Sequence, residues 1–220
     1  METSSALRSV HDNDDEQSPN GHAVAFTAAE YNLSDEARIR RVSHHFAEIM
    51  KIIGLDLNED GLKDTPGRVA RMYVKEIFKG LNSANEPSVA LFKNKGSHNK
   101  LILEKNITLH SFCEHHFLPI IGKAHIAYIS NGKIIGLSKL NRIVHYYASK
   151  PQVQERLTEE IANALKKALG TEDVAVIIDA VHLCVTTRGV NDTNCSTVTS
   201  YFGGKFHNED VKTEVLISIR

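Results

Sequence analysis

Two short clusters, Cys113-Glu114-His115-His116 and His182-Leu183-Cys184, stand far apart in the chain and constrain its fold more than any other feature. Thiols and imidazoles in this mixture suit a zinc ion, and a fold that uses both clusters must bring two distant segments together. Ligation by Cys113, His116 and Cys184 would leave a fourth tetrahedral position free for water, which separates a catalytic zinc from a structural one. The first cluster alone carries little weight in a chain with 12 histidines. The second adds more, because residues 174–181 are rich in β-branched side chains and run straight into it, so 174–188 is expected as one long strand. On that strand His182, Cys184, Thr186 and Arg188 would share a face, a poor core surface but a good cavity wall.

Residues 1–33 carry an acidic run, a Ser-Pro-Asn-Gly stretch and few large apolar side chains, too little to offset ordering entropy; they are expected as a disordered tail. From Ser34, an N-cap followed by Asp35 and Glu36, apolar residues recur at Ile39, Val42, Phe46, Ile49, Met50 and Ile53. Thr65-Pro66 starts a second helix with Val69, Met72, Tyr73, Ile77 and Phe78 as its stripe. Residues 34–98 therefore read as an N-terminal helical region. Across 99–220, strands at 100–109 and 120–129 flank the Cys113 loop, and Asn131-Gly132 reads as a hairpin turn. Helices at 138–148 and 151–169, the strand 174–188 and a partner strand near 196–206 follow, with a short capped helix in 208–220. The β-β-α-α-β-β order predicts an α+β fold: a four-stranded antiparallel sheet covered by two helices, with an N-terminal helical extension. Its bare edges favour oligomerisation by sheet pairing.

Lys+Arg 26 against Asp+Glu 27 leaves a formal net charge of -1, so no global basic field argues for nucleic acid. The chain shows no run long enough to span a bilayer and no secretory leader, so no membrane association is expected. Three cysteines without framework spacing fit a cytoplasmic setting, with Cys195 an ordinary free thiol. Phosphates, if bound, must be met by side chains, because no Gly-rich phosphate loop occurs. Ser138, Lys139 and Arg142 offer hydroxyl, ammonium and guanidinium donors at a positive helix end, an anion site; a solvated basic face is the plainer reading. Gln154 and Glu155 open the long helix, either as an ordinary charged first turn or as a reader of guanine. A carboxylate can accept from guanine's ring N–H and exocyclic amine, a donor pair that adenine lacks.

Cys113-Glu-His-His116, Gly136-Leu-Ser-Lys-Leu-Asn-Arg142, Gln152-Val-Gln-Glu-Arg-Leu-Thr158, His182-Leu-Cys184 and Arg188-Gly-Val190 together resemble the GTP cyclohydrolase I family. The segment 61–74 is similar to that family's helical region, and the resemblance runs over about residues 34–206. It implies a tunnelling fold in a ring-stacked homodecamer whose active sites are shared between subunits. It also implies zinc-dependent hydrolysis of GTP to 7,8-dihydroneopterin triphosphate and formate, the first step of pterin and tetrahydrofolate biosynthesis. Carried over by motif, Cys113, His116 and Cys184 hold Zn2+, and His115 and His182 transfer protons. Gln154 and Glu155 hold guanine, while Ser138, Lys139, Arg142 and Arg188 meet the triphosphate. No role follows for Glu114. Two rivals stay open: a deazaguanine nitrile reductase of the same fold group, and a non-catalytic zinc-stapled module in which His115 or His182 closes the coordination.

Overall fold

The computed structural model describes residues 33–93, 96 and 99–220. Nearly all of the tail expected over 1–33 lies outside the described residues. The first helix, α1 (Asp35–Ile52), starts where Ser34 accepts the Ala37 N–H, with Asp35 and Glu36 favourably placed in its first turn. A second helix, α2 (Thr65–Arg71), has proline in its first turn and continues as a π-helical turn over Met72–Ile77.

The strands are β1 (Leu91–Lys93), β2 (Leu101–Cys113), β3 (Pro119–Ile129), β4 (Lys133–Ile135), β5 (Pro151–Gln152), β6 (Val174–His182) and β7 (Thr197–Phe202). Between them lie α3 (Leu137–Ala148), α4 (Gln154–Leu169), the single turn α5 (Leu183–Thr186) and, last, α6 (Glu209–Ser218). The main sheet has the order β5-β2-β3-β6-β7. Its four long strands are antiparallel, as expected, and the two-residue β5 adds a parallel edge beside Phe112 and Cys113.

Alternation decides which side of the sheet is buried. Ile107, Leu109, Ser111 and Cys113 on β2 face the same core as Leu140, Ile143, Val144 and Ala148 of α3 and Leu157, Ile161 and Leu165 of α4. Among the described residues the opposite face is covered at one end only, where Phe206 and Val215 pack on Ala127, Ile129, Ala175 and Ile177. The expected C-terminal helix is therefore present, capped by Asn208, and it closes a second, smaller core. The N-terminal helical segment meets the sheet layer at Gly80, whose N–H donates to Ser149 O at 2.8 Å. A Cβ on Gly80 would lie 2.3 Å from Tyr146 O, so a side chain has no room in this seam.

Three sequence-based expectations are corrected. The strand expected over 174–188 ends at His182, and α5 follows. Its ladder partners run out, since β3 pairs no further than Ile120↔His182 and β7 no further than Ala180↔Thr197. A backbone without strand partners satisfies its own polar groups by turning helical. Asn131-Gly132 does not close a hairpin: β4 pairs with β1, because β3 already has β2 and β6 on its two sides. The long helix begins at Gln154 rather than Pro151, after an extended Val153.

Candidate active site

The first cluster occupies the tight turn between β2 and β3. The Phe117 N–H donates to Cys113 O at 2.9 Å and the Cys113 N–H to Leu118 O at 2.9 Å, so the chain reverses in one α-turn. That turn places residues three apart on the same side, bringing His116 over Cys113. Phe117 closes it with φ 54°, a strained conformation for an aromatic residue. The ring of Phe117 is held by Phe78 at 5.1 Å and Tyr73 at 6.3 Å, so the N-terminal helical segment buttresses the turn.

Cys184 arrives from the other direction on α5, and the change from strand to helix is what points it at Cys113. The ligand atoms of Cys113, His116 and Cys184 all lie within 4.8 Å of one another. The Nδ1 of His116 is 3.9 Å from Cys113 Sγ, and that of His115 is 3.7 Å from it. Two thiols and an imidazole form a borderline-soft donor set that fits zinc by chemistry and by spacing. Burial, followed by the neighbouring Cys113 thiol, raises the Cys184 pKa, and Arg188 opposes the shift. A metal entering this site must therefore displace protons, so it binds more weakly as the pH is lowered.

His182, at the end of β6, is held through its ring. Gln154 is 1% exposed, and its Nε2 points at Ile178 O (3.1 Å), Thr197 O (2.8 Å) and Thr199 Oγ1 (3.2 Å). Those three acceptors fix the amide so that Oε1 faces His182 Nε2 at 2.7 Å. An amide oxygen only accepts, so Nε2 carries the proton and Nδ1 is left for other chemistry. Burial lowers the His182 pKa below the ordinary imidazole value, and Glu155 opposes that shift. The Gln154 side chain, expected to meet guanine, makes these four contacts within the protein, and its neighbour Glu155 is exposed.

Arg188 is also near the metal group, donating from Nη1 to His116 Nε2 at 2.9 Å. Ser138, Lys139 and Arg142 are not. Asn141 in the same helical turn reaches Glu104 at 3.5 Å, and Glu104 lies nine residues before Cys113 on β2. The helix then runs alongside β2 toward Cys113, with His145 Nε2 3.1 Å from Thr108 O and Ala148 O accepting from Ser111 Oγ at 2.8 Å. Ser138, Lys139 and Arg142 therefore sit at the end of α3 remote from Cys113, apart from the candidate metal group of the same chain. The sequence reading missed Arg156, which binds Glu114 Oε2 at 2.5 Å; in the sequence it looks like any first-turn charge.

The sequence model of the family described as GTP cyclohydrolase I matches residues 42–220. The chain belongs to the GTP cyclohydrolase I family. It is 55% identical over 190 residues to GTP cyclohydrolase 1 of Flavobacterium johnsoniae, covering 86% of this chain and 85% of that one. It is 48% identical over 191 residues to GTP cyclohydrolase 1 of Citrobacter koseri, covering 86% of each chain. Against GTP cyclohydrolase 1 of an Enterobacter species the figure is 49% over 189 residues, 86% of this chain and 85% of the relative. Membership makes this chain an enzyme of the family, with the α+β fold described above. No helix among the described residues is long and apolar enough to cross a membrane.

Proposed function

We propose that this chain is a zinc-dependent GTP cyclohydrolase that converts GTP to 7,8-dihydroneopterin triphosphate and formate. The observation that carries the reading is the convergence of Cys113, His116 and Cys184 within 4.8 Å in a member of this family. Zinc held by these three side chains supplies Lewis acidity, which activates water at neutral pH. Glu155 accepts from the ring N–H and exocyclic amine of guanine. His182, with Nε2 fixed by Gln154, exchanges a proton through Nδ1 with N7 of the base as water adds at C8. Opening of the C8–N9 bond leaves a formamide, and a second hydrolysis releases C8 as formate. Rearrangement of the ribose and condensation of its carbonyl with the freed amine return one water, with His115 and His182 available as acid and base.

The triphosphate is assigned to Ser138, Lys139, Arg142 and Arg188. The first three sit at the end of α3 remote from Cys113, so we further assign each complete site to two or more copies of the chain. The open edges support this: β7 has no strand on its outer side, and β2 has none before Phe112 among the described residues. A homodecamer acting in the cytoplasm is the assembly we propose. Formate release and pteridine absorbance from GTP, before and after stripping metal with a chelator, test the reaction. Equal yields of both products, lost on stripping and restored by zinc, are the expected result; a metal-loaded chain without turnover would refute it.

A further inference from the structure

We infer that Glu114 and Arg156 form a positioning clamp that fixes the Cys113–His116 turn against the first turn of α4, where Gln154 and Glu155 sit. The inference rests on the site proposed above. The turn is tied to this region by backbone and side chain together. The Glu114 N–H donates to Gln152 O at 3.0 Å, and its carboxylate accepts from Arg156 Nη2 at 2.5 Å. The same guanidinium donates to Pro151 O at 3.0 Å and, through Nε, to Gln152 Oε1 at 3.1 Å. Gln152 is 1% exposed and passes the connection inward, donating from Nε2 to Tyr147 O at 3.0 Å and to Glu160 Oε2 at 2.9 Å.

The side-chain ties matter because the strand pairing here is minimal. Only Phe112↔Pro151 and Cys113↔Gln152 join β2 to β5, too short a ladder to set the position of a ligand turn by itself. The Arg156 and Glu114 side chains are 18% and 24% exposed, sheltered enough that removing one strands the other with a poorly solvated charge. The second carboxylate oxygen of Glu114 lies 3.9 Å from His115 Nε2, so the clamp also bears on that ring. Neither residue belongs to the metal-ligand group. What they govern is the offset between the metal cluster and the residue that reads the base, and a misplacement of about 1 Å can reduce turnover roughly 100-fold.

The test compares Glu114→Gln, which keeps the volume and removes the charge, Arg156→Lys, which keeps the charge and removes the fork, and the double variant. Turnover of GTP and zinc affinity by chelator competition are measured on each full-length chain. Loss of such outer-shell support is expected to lower kcat roughly 10–100-fold, with KM for GTP near its wild-type value and zinc held more weakly. The double variant should lose no more than the worse single one, because the two act as a unit. Single variants with wild-type kcat and zinc affinity, beside a wild-type chain that turns over GTP, would overturn the clamp and leave the proposed function standing. Fully additive losses would overturn it too. A zinc-loaded wild-type chain without GTP turnover would instead overturn the functional reading, and unchanged zinc affinity in Glu114→Gln would then remove the clamp as well.

Discussion

At one end of the sheet the polar groups around Cys113 and Cys184 are matched to one another: Gln154 to His182, Arg188 to His116, Arg156 to Glu114. At the other end Ser138 and Arg142 face solvent at the start of α3, with Lys139 half-buried beside them, and none has a side-chain partner within the described chain. The first end is organised before any ligand arrives, which is what chemistry on a small reacting group requires. The second holds unspent donors, which is what capture of a polyanion requires. Preorganisation and availability are opposite demands on polar side chains, and the length of α3 keeps them apart in a single chain.

The contrast is broken most directly at the metal end. Cys184→Ser should lose bound zinc by elemental analysis and reduce GTP turnover by more than roughly 100-fold, beyond what outer-shell changes do. At the other end Arg142→Ala should leave zinc content intact and lower kcat/KM, mainly through KM. Loss of a charge-assisted hydrogen bond of about 1.5–3 kcal/mol corresponds to roughly 10–150-fold. If Arg142→Ala lost its metal instead, the two ends would not be separate devices. Mixing the two weakened variants sharpens the point: co-assembled chains should regain part of the turnover, since some sites would combine an intact metal end with an intact anion end. No recovery in a mixed oligomer would mean that each site is built within one chain.

The smallest effect belongs to His125, on β3 between the two ends. Its Nδ1 accepts the Asn106 N–H at 3.4 Å, and burial, then Lys123, lowers its pKa, with Asp179 opposing and Lys105 adding to the shift. The unfolded chain binds this proton more readily than the folded one. The stability from neutral His125 is therefore complete above about pH 6.5 and is lost as pH falls from there through the lower folded value. The melting midpoint should decline over that range, and His125→Gln should flatten the slope.

Periodicity was enough to place most elements. The stripe from Ile39 to Ile53 became α1, the stripe from Leu157 to Leu165 became the buried face of α4, and β-branched runs became β3 and β6. It failed where neighbours decide. Val185 and Thr186 suit a strand by composition, yet they lie beyond the last partner on either side and turn helical. The candidate metal group was legible because thiol and imidazole clusters are rare and their chemistry is specific. Arg156 was not, because a first-turn arginine has the same local pattern whether it meets solvent or a carboxylate 42 residues away.

By itself, then, the sequence determined the residue types that can hold zinc, the helical and strand periods, and the α+β order, because each of these is local. Tertiary structure alone decided that Cys184 reaches Cys113 from a helical turn, that Gln154 spends its amide on His182, and that Ser138, Lys139 and Arg142 sit at the end of α3 remote from Cys113. Those outcomes depend on which backbone groups find partners and where strands run out. Such distances are set by packing and pairing across the whole chain, and no window of neighbouring residues contains them.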